Sequence, residues 1–353
     1  MISGQAPEMR IGVQPRSLLR PGKPTRSAPD TVVDMKKLVA IAAAAAALPW
    51  AAAAQDAKAF LGRWNMTVTQ PNGSPYPQWM ELLEKEGRIE GRVQPRGGGW
   101  RPILGAKFEA AKIVVAVSAA GRGPAVHWEL AASGPDRLIG IEKRGDMNGP
   151  TLAGLRAPKL NRSMPKVWAA PQPLFNGKDL TGWEPIGNVN NNKWVARDGE
   201  LVNDNPMVDG QRSPGAANLK STAKFQDFKL HIEVNCPEHG NSGIYLRGRY
   251  EIQIGTEGGK LPDHEMGAVY SHYPPPAGAE LGLGKWTSFD IIFVGRHVTV
   301  LRDGKVYHDN VEIPGPTGGA LDNNEAEPGP FFLQGDHYGV IRYRNITVSV
   351  PKQ

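Results

Sequence analysis

The stretch GNSGIYLRGRYEIQIG, Gly240 to Gly255, decides the fold class by its spacing. Ile244 and Leu246 alternate with Tyr245 and Arg247, and Tyr250, Ile252 and Ile254 alternate with Glu251 and Gln253. A period of two is the signature of a strand with one apolar and one polar face. The same period runs through FKLHIEVN (228–235), where Phe228, Leu230, Ile232 and Val234 oppose Lys229, His231, Glu233 and Asn235. It returns in WTSFDIIFVGRHVTVLRDGKVYHDNVEI (286–313), with Gly295-Arg296 and Asp303-Gly304 as turns, and in GPFFLQGDHYGVIRYRNITVSV (329–350). No helical period separates these runs, which excludes a parallel α/β arrangement. Residues 174–353 therefore predict an all-β, antiparallel jelly-roll β-sandwich of two sheets.

Upstream, residues 55–160 hold further short runs, among them FLGRWNMTV, QWMELLEKEGRIEGRV, AKFEAAKIVVAVSAA, AVHWELAAS and RLIGIEKRG. Gly, Pro and Asn separate them, a pattern that predicts a small antiparallel β-barrel or sandwich domain. Its tryptophans (Trp64, Trp79, Trp100 and Trp128) are expected to pack a core rather than line a sugar cup. The Pro-rich stretch 161–173 has no period and reads as a linker.

Residues 35–54 carry the secretory pattern: Met35-Lys36-Lys37, an apolar run from Leu38 to Leu48, and Ala52-Ala53-Ala54 before the cut. A signal peptide cleaved after Ala54 implies a periplasmic or secreted protein, and residues 1–34 read as a disordered or mis-assigned start. The run is shorter than a membrane span needs, and no second stretch approaches that length. The formal charge of +6 lies mostly in the stretch 1–54. Removing its seven basic and three acidic residues from the totals of 41 and 35 leaves 34 and 32. A body so nearly neutral has no footprint for a nucleic-acid backbone. Cys236 is the chain's one cysteine, so no internal disulfide forms, and it reads as a small buried hydrophobe.

Alternation places His231, Glu233, Tyr245, Arg247, Glu251 and Gln253 away from the apolar core, on what read as two neighbouring strands. Lys, Thr and Ser usually dominate a solvated face, whereas Arg, Tyr, Glu and Gln are directional hydrogen-bonders suited to sugar hydroxyls. A long segment between Gly255 and Lys285 bears Asp263, His264, Glu265, Tyr270, His272 and Tyr273. Insertions of this length in a compact domain are often functional. His264 and His272 with their acidic neighbours match no recognised zinc spacing, and Leu321–Gly329 lacks a calcium-ligand pattern. Nucleophile-elbow, phosphate-loop and His-Glu-x-x-His signatures are absent. A retaining glycosidase needs two carboxylates across the scissile bond. The run Glu251-Ile252-Gln253-Ile254-Gly255 offers one.

LFNGKDLTGW, WVARDGELV, FKLHIEVN, GNSGIYLRGRYEIQI, GAVY, the 286–307 hairpin and GPFFLQGDHYGVIRYRNI follow in an order that resembles the 3-keto-disaccharide hydrolase family over about residues 173–350. The resemblance implies a concanavalin-like jelly roll, an exported bacterial protein and a substrate glycoside already oxidised at C3. A C3 ketone acidifies the C2 hydrogen, so one base, donors for the enolate oxygen and a leaving-group acid suffice. On this reading the catalytic candidates are Glu251 as base or orienter, Arg247, Glu233 and His231. Gln253, Tyr245, Tyr270, His272, Trp286, Gln334 and His337 would bind substrate. No cofactor is required, and a divalent metal stays open as a Lewis acid for the enolate. Two places depart from the family pattern: Gly255 and Glu257 stand where an Asp is usual, and Thr287 follows Trp286 where Asn is common.

Overall fold

Alternation in the first 160 residues is strict enough to build one continuous antiparallel sheet. The computed structural model describes residues 57–118, 125–207 and 215–352, so the expected signal peptide and start region lie outside the described residues. Within them, nine strands run in the spatial order Arg101–Pro102, Arg88–Gln94, Pro75–Lys85, Gly62–Thr69, Met147–Arg156, Arg137–Arg144, Val126–Ala132, Lys112–Val117 and Gly105–Glu109. The first strand pairs with the last, Trp64 opposite Arg156. Ile103 N–H donates to the Gly91 carbonyl at 3.0 Å and Leu104 N–H to Ala116 at 2.7 Å, which joins the two ends of the sheet. The curled sheet is a barrel, filled by Trp64, Met66, Met80, Leu82, Ile113, Val115, Trp128 and Leu130.

Two further antiparallel sheets form the sandwich. The larger runs Trp194–Arg197, Glu200–Asn205, Gly339–Ser349, Phe228–Asn235, Trp286–Val294, His297–Arg302 and Lys305–Glu312, with Gln172–Pro173 added beside Gly339–Ser349. The smaller runs Trp183–Ile186, Asn218–Phe225, Gly329–Leu333, Asn241–Leu246 and Tyr250–Gly255. Their facing apolar sides meet in one core that includes Phe228, Ile232, Phe289 and Phe293 against Ile244, Tyr250, Ile252 and Phe331. Phe228 stacks on Phe293 at 5.6 Å and meets Phe331 edge-on at 4.7 Å. Cys236 is buried at the end of its strand, and burial pushes its thiol pKa up to about 12. Among the described residues no helix is long and apolar enough to cross a membrane.

The expectation that Phe228–Asn235 lies beside Asn241–Leu246 is corrected here: they belong to opposite sheets. Both strands turn apolar residues inward, so alternation reads identically for neighbours in one sheet and for strands facing each other across a core. Cys236–Gly240, with Pro237 and Gly240, arches between the sheets instead of forming a hairpin.

Residues 52–353 form one compact unit, and polar contacts stitch barrel to sandwich. Asn65 Nδ2 donates to the Asn323 carbonyl and Asn323 Nδ2 to the Met66 carbonyl, each at 2.8 Å. The Glu325 carboxylate, fully enclosed, pairs with Arg63 of the barrel at 3.0 Å and accepts the Tyr250 hydroxyl at 2.7 Å. Arg296 stands 3.7 Å away. Replacing Glu325 by Ala strands these buried cations, and breaking a buried pair from one side costs about 3–5 kcal/mol. Urea denaturation of the variant is expected to read that loss; a cost below about 1 kcal/mol would mean that the arginines find water.

Candidate functional site

Glu251 lies on the outer face of the smaller sheet's edge strand, Tyr250–Gly255. Its strand neighbour is Tyr245, and Gly243 pairs with Gln253 one step along. A Cβ on Gly243 would stand 2.1 Å from Glu251 Oε1, so the missing side chain is what lets this carboxyl lie down across the strand. Glu251 is 2% exposed. Its Oε2 lies 2.7 Å from the Tyr245 hydroxyl, which also stands 2.9 Å from the Gly318 carbonyl. One phenolic hydrogen cannot serve both acceptors fully. A protonated Glu251 resolves the conflict by donating to Tyr245, which then donates to Gly318. Electrostatics agree: burial, then the Glu257 and Asp336 charges, push the Glu251 pKa well above the usual carboxylate range against the opposing Tyr245 bond.

The segment after Gly255 packs along the free edge of Tyr250–Gly255. Tyr270 N–H donates to the Glu251 carbonyl at 3.0 Å, Gln253 N–H to Ala268 at 2.9 Å, and Gly267 N–H back to Gln253 at 2.8 Å. This edge carries a second carboxyl, Glu257, which is bonded to His264 Nδ1 at 2.8 Å and accepts the Tyr270 hydroxyl at 3.2 Å. The His264 bond holds Glu257 below the ordinary carboxylate range, and its side chain is 39% exposed. The site thus pairs a covered Glu251, its pKa raised by burial, with an accessible Glu257 whose pKa the His264 bond lowers. Gln334 reaches Tyr245 with its amide at 3.5 Å, and His337 stands near enough for its charge to act on Glu257 while bonding Asp336 at 3.0 Å. Gln253 Nε2 and Gln334 Oε1 are buried without a partner among the described residues. Such atoms are costly to leave unmet and are usually met by water or ligand.

The roof over this face is the segment 314–320. Thr317 Oγ1 accepts the Glu251 backbone N–H at 3.0 Å, and Thr317 N–H donates to Arg249 at 2.8 Å. Cavities lie elsewhere, among them one of about 970 Å³ between Arg63, Arg156, Tyr273 and Arg296 and one of about 440 Å³ in the barrel mouth beside Tyr76 and Trp128. Among the described residues no three His, Cys, Asp or Glu side chains gather as a metal-ligand set.

Tyr245, Glu251, Gln253, Tyr270, Gln334 and His337 are thus brought together; five other sequence candidates are not. His231 and Glu233 lie on the outer face of the larger sheet, across the sandwich, where His231 pairs with Asp290 at 2.7 Å and Glu233 with Arg344 at 2.7 Å. Trp286 shares that far face, with Arg344 over its ring at 4.0 Å. Arg247 is corrected too. The alternation ends at Leu246, Arg247 takes the left-handed φ of +54° in the hairpin turn, and its guanidinium swings to the core side. There it donates to the Gly295 carbonyl at 3.0 Å and lies over Phe293 at 5.1 Å. His272 turns from the pair towards the barrel, 6.2 Å from the Trp79 ring, and burial draws its pKa down to about 4.

Glu257, His264, Thr317 and Gly318 were not among the sequence candidates for this cluster. The usable signal was Glu257 directly beyond the Glu-x-Gln strand; the glycine pair 318–319 carried none by itself. Because folding keeps the Glu251 proton, its stabilising contribution is full below the unfolded carboxyl pKa of about 4.3 and fades as pH rises towards the folded value. A Glu251→Gln chain, which cannot titrate there, should gain stability relative to the parent across that window and match it in acid. Urea melts across the pH range check this, and a pH-independent difference would show an ordinary carboxyl.

The profile of the 3-keto-alpha-glucoside-1,2-lyase-like domain matches residues 170–349. A candidate glycosyl hydrolase from Parabacteroides distasonis is 30% identical over 50% of this chain and 82% of its own, with a TM-score of 0.40. A second from the same organism is 18% identical over 52% and 94%, at 0.39. The carbohydrate-binding module CBM66 of Bacillus subtilis is 14% identical over 48% and 96%, at 0.30. A search of curated proteins finds no match.

Proposed function

Since the chain belongs to the 3-keto-alpha-glucoside-1,2-lyase-like domain family, we propose that its sandwich cleaves glycosides already oxidised at C3 of the sugar ring. The observation that carries this reading is a pair of carboxyls in opposite surroundings: Glu251 enclosed over Gly243 with its pKa raised by burial, and Glu257 accessible with its pKa lowered by the His264 bond. Environments that separate two such groups assign acid and base. Glu257, accessible and charged, is the base for the C2 hydrogen, with His264 behind it. A ketone-acidified C–H needs no strong base, and a carboxylate base facing a tyrosine and a neutral carboxylic acid that donate to the enolate oxygen is a known arrangement.

The steps balance without a redox partner. Glu257 takes the C2 proton, and the C–H pair becomes the C2=C3 bond while negative charge moves to the C3 oxygen. Tyr245, backed by the Glu251 acid, donates to that oxygen in place of the Gly318 carbonyl. The enolate re-forms the ketone, a C1=C2 bond forms and the C1–O bond breaks, releasing the aglycone as its alkoxide, which takes a proton. Water then adds at C1 and a proton returns to C2, for net hydrolysis. Gln253 and Gln334 hold ring hydroxyls. The secretory pattern of residues 35–54 supports export to the periplasm or outside the cell as part of this reading.

Purified protein incubated with a 3-keto-disaccharide in D2O should release 3-keto-glucose carrying deuterium at C2, read by mass spectrometry. Glu257→Gln and Glu251→Gln should each lower turnover by about 10²–10⁴-fold while the chain stays folded. Product without deuterium would remove the proton-abstraction step. Saccharide binding with no turnover would leave a binding module.

A further inference from the structure

The barrel touches both halves of the acid–base pair. On the acid side, Trp79 Nε1 donates to the Pro316 carbonyl at 2.8 Å and its ring packs on Gly315, where a Cβ would stand 2.8 Å from the indole. Gly319 N–H donates to the Arg96 carbonyl at 2.9 Å. Between these anchors lie Thr317, which holds the Glu251 backbone, and Gly318, whose carbonyl takes the Tyr245 hydrogen. On the base side, Trp100 N–H donates to Ser271 Oγ at 3.2 Å. A Cβ on Gly99 would stand 2.2 Å from that same oxygen and 3.4 Å from His264 Nε2, the imidazole whose other nitrogen bonds Glu257. Ser271 itself takes a left-handed φ of +59°, tied by its N–H to the Asp263 carbonyl at 2.8 Å.

We infer that the barrel is a positioning element for the sandwich's reaction, Trp79 setting Glu251 through the 314–320 segment and the Gly97–Trp100 turn setting Glu257 through Ser271 and His264. This rests on the acid–base assignment above. The geometry favours it over a barrel that merely adjoins the sandwich, because each contact lies one or two hydrogen bonds from a reacting carboxyl. Glycines at 98, 99, 315 and 318 allow the approach: a Cβ on Gly318 would meet the Gly98 carbonyl at 2.4 Å. The titratable groups facing Glu251 are Tyr245, Tyr270, Tyr343, Glu257 and Asp336, and those facing Glu257 are His264, Tyr270 and His337. None of them comes from the barrel. The barrel's action therefore runs through position, not through a charge of its own.

The test uses the full chain and two variants, Trp79→Phe and Gly99→Ala. Trp79→Phe keeps an aromatic ring against Gly315 and removes the N–H that holds Pro316. With Gly318 freed, the Tyr245 hydrogen turns wholly to Glu251, which favours the carboxylate. Carbon-13 NMR of labelled glutamate in substrate-free protein should then show the Glu251 titration moved to lower pH, with Glu257 unmoved. Gly99→Ala should move Glu257 to higher pH by loosening its His264 bond. Each variant should lower kcat by about tenfold at nearly constant KM, as loss of an interaction made in the transition state does. Should Gly99→Ala not fold, Trp79→Phe decides alone. Unmoved carboxyl titrations, with changes confined to melting temperature, would overturn the positioning role. Titration shifts in a protein that releases no product from the 3-keto-disaccharide would leave the positioning intact and sink the reaction assigned above.

Discussion

A carboxyl group laid flat across a strand, in a place where the strand has no side chain, is the constraint from which the site follows. Glu251 fits over Gly243 only because no Cβ stands there. Enclosed in that position, an ionised carboxylate would need several good donors to offset desolvation, and the chain provides Tyr245 alone. The less costly state is the neutral acid, and the acid in turn fixes the direction of the Tyr245 hydroxyl towards Gly318. A local absence of side chain on one strand thereby sets the protonation of its neighbour and the polarity of a hydrogen-bonded chain.

Keeping that acid dry takes more surface than the sandwich sheet offers. An antiparallel sheet commonly leaves one face to water. Here the face is closed from three sides: the 256–273 segment at the free edge, the 314–320 segment as roof, and the barrel's Gly97–Trp100 turn against both. Glu257 escapes this enclosure because it stands on the edge segment, where water and His264 keep it ionised. The two carboxyls differ in chemistry because they differ in cover. Among the described residues, Gln253 Nε2 and Gln334 Oε1 are two of the buried polar atoms left without partners, and both lie beside Gly243.

Period-two alternation made the strand content legible, down to the apolar members of the core. Phe228, Ile232, Ile244, Ile252 and Ile254 all face inward as their spacing dictates. Alternation is blind to which sheet a strand joins, since facing sheets present the same in–out pattern, and this is why His231 and Glu233 were grouped with Glu251 from which the core separates them. It is equally blind beyond a strand's end: one left-handed residue at the turn carried Arg247 from the expected face to the core. Tyr245, Glu251 and Gln253 read correctly as one face because they sit on paired strands joined by a short hairpin. The roof could not be read at all. Thr317 and Gly318 act through a backbone carbonyl and one hydroxyl, groups that leave almost no mark in residue type, and the barrel's contribution is glycine, which signals only room.

The arrangement also accounts for the missing glycosidase pair. A retaining enzyme must keep one carboxylate charged next to the anomeric carbon and a second poised as acid a short distance across the bond. On this strand the positions after Glu251 on the same face are Gln253 and Gly255, so no second charge can be mounted there. Moving the charged partner off the strand to Glu257 places it beside the sheet instead of across it, at the flank of any sugar lying over Gly243. From the flank a carboxylate is well set to reach a ring hydrogen next to a ketone and poorly set to attack an anomeric carbon lying between two acids. With the pKa of one carboxyl raised by burial and that of the other lowered by its His264 bond, the pair is the kind of arrangement on which the enolate chemistry proposed above relies. Burial against Gly243 thus bears on which chemistry the site can perform, and the gap left by Gln253 and Gly255 is what that chemistry requires.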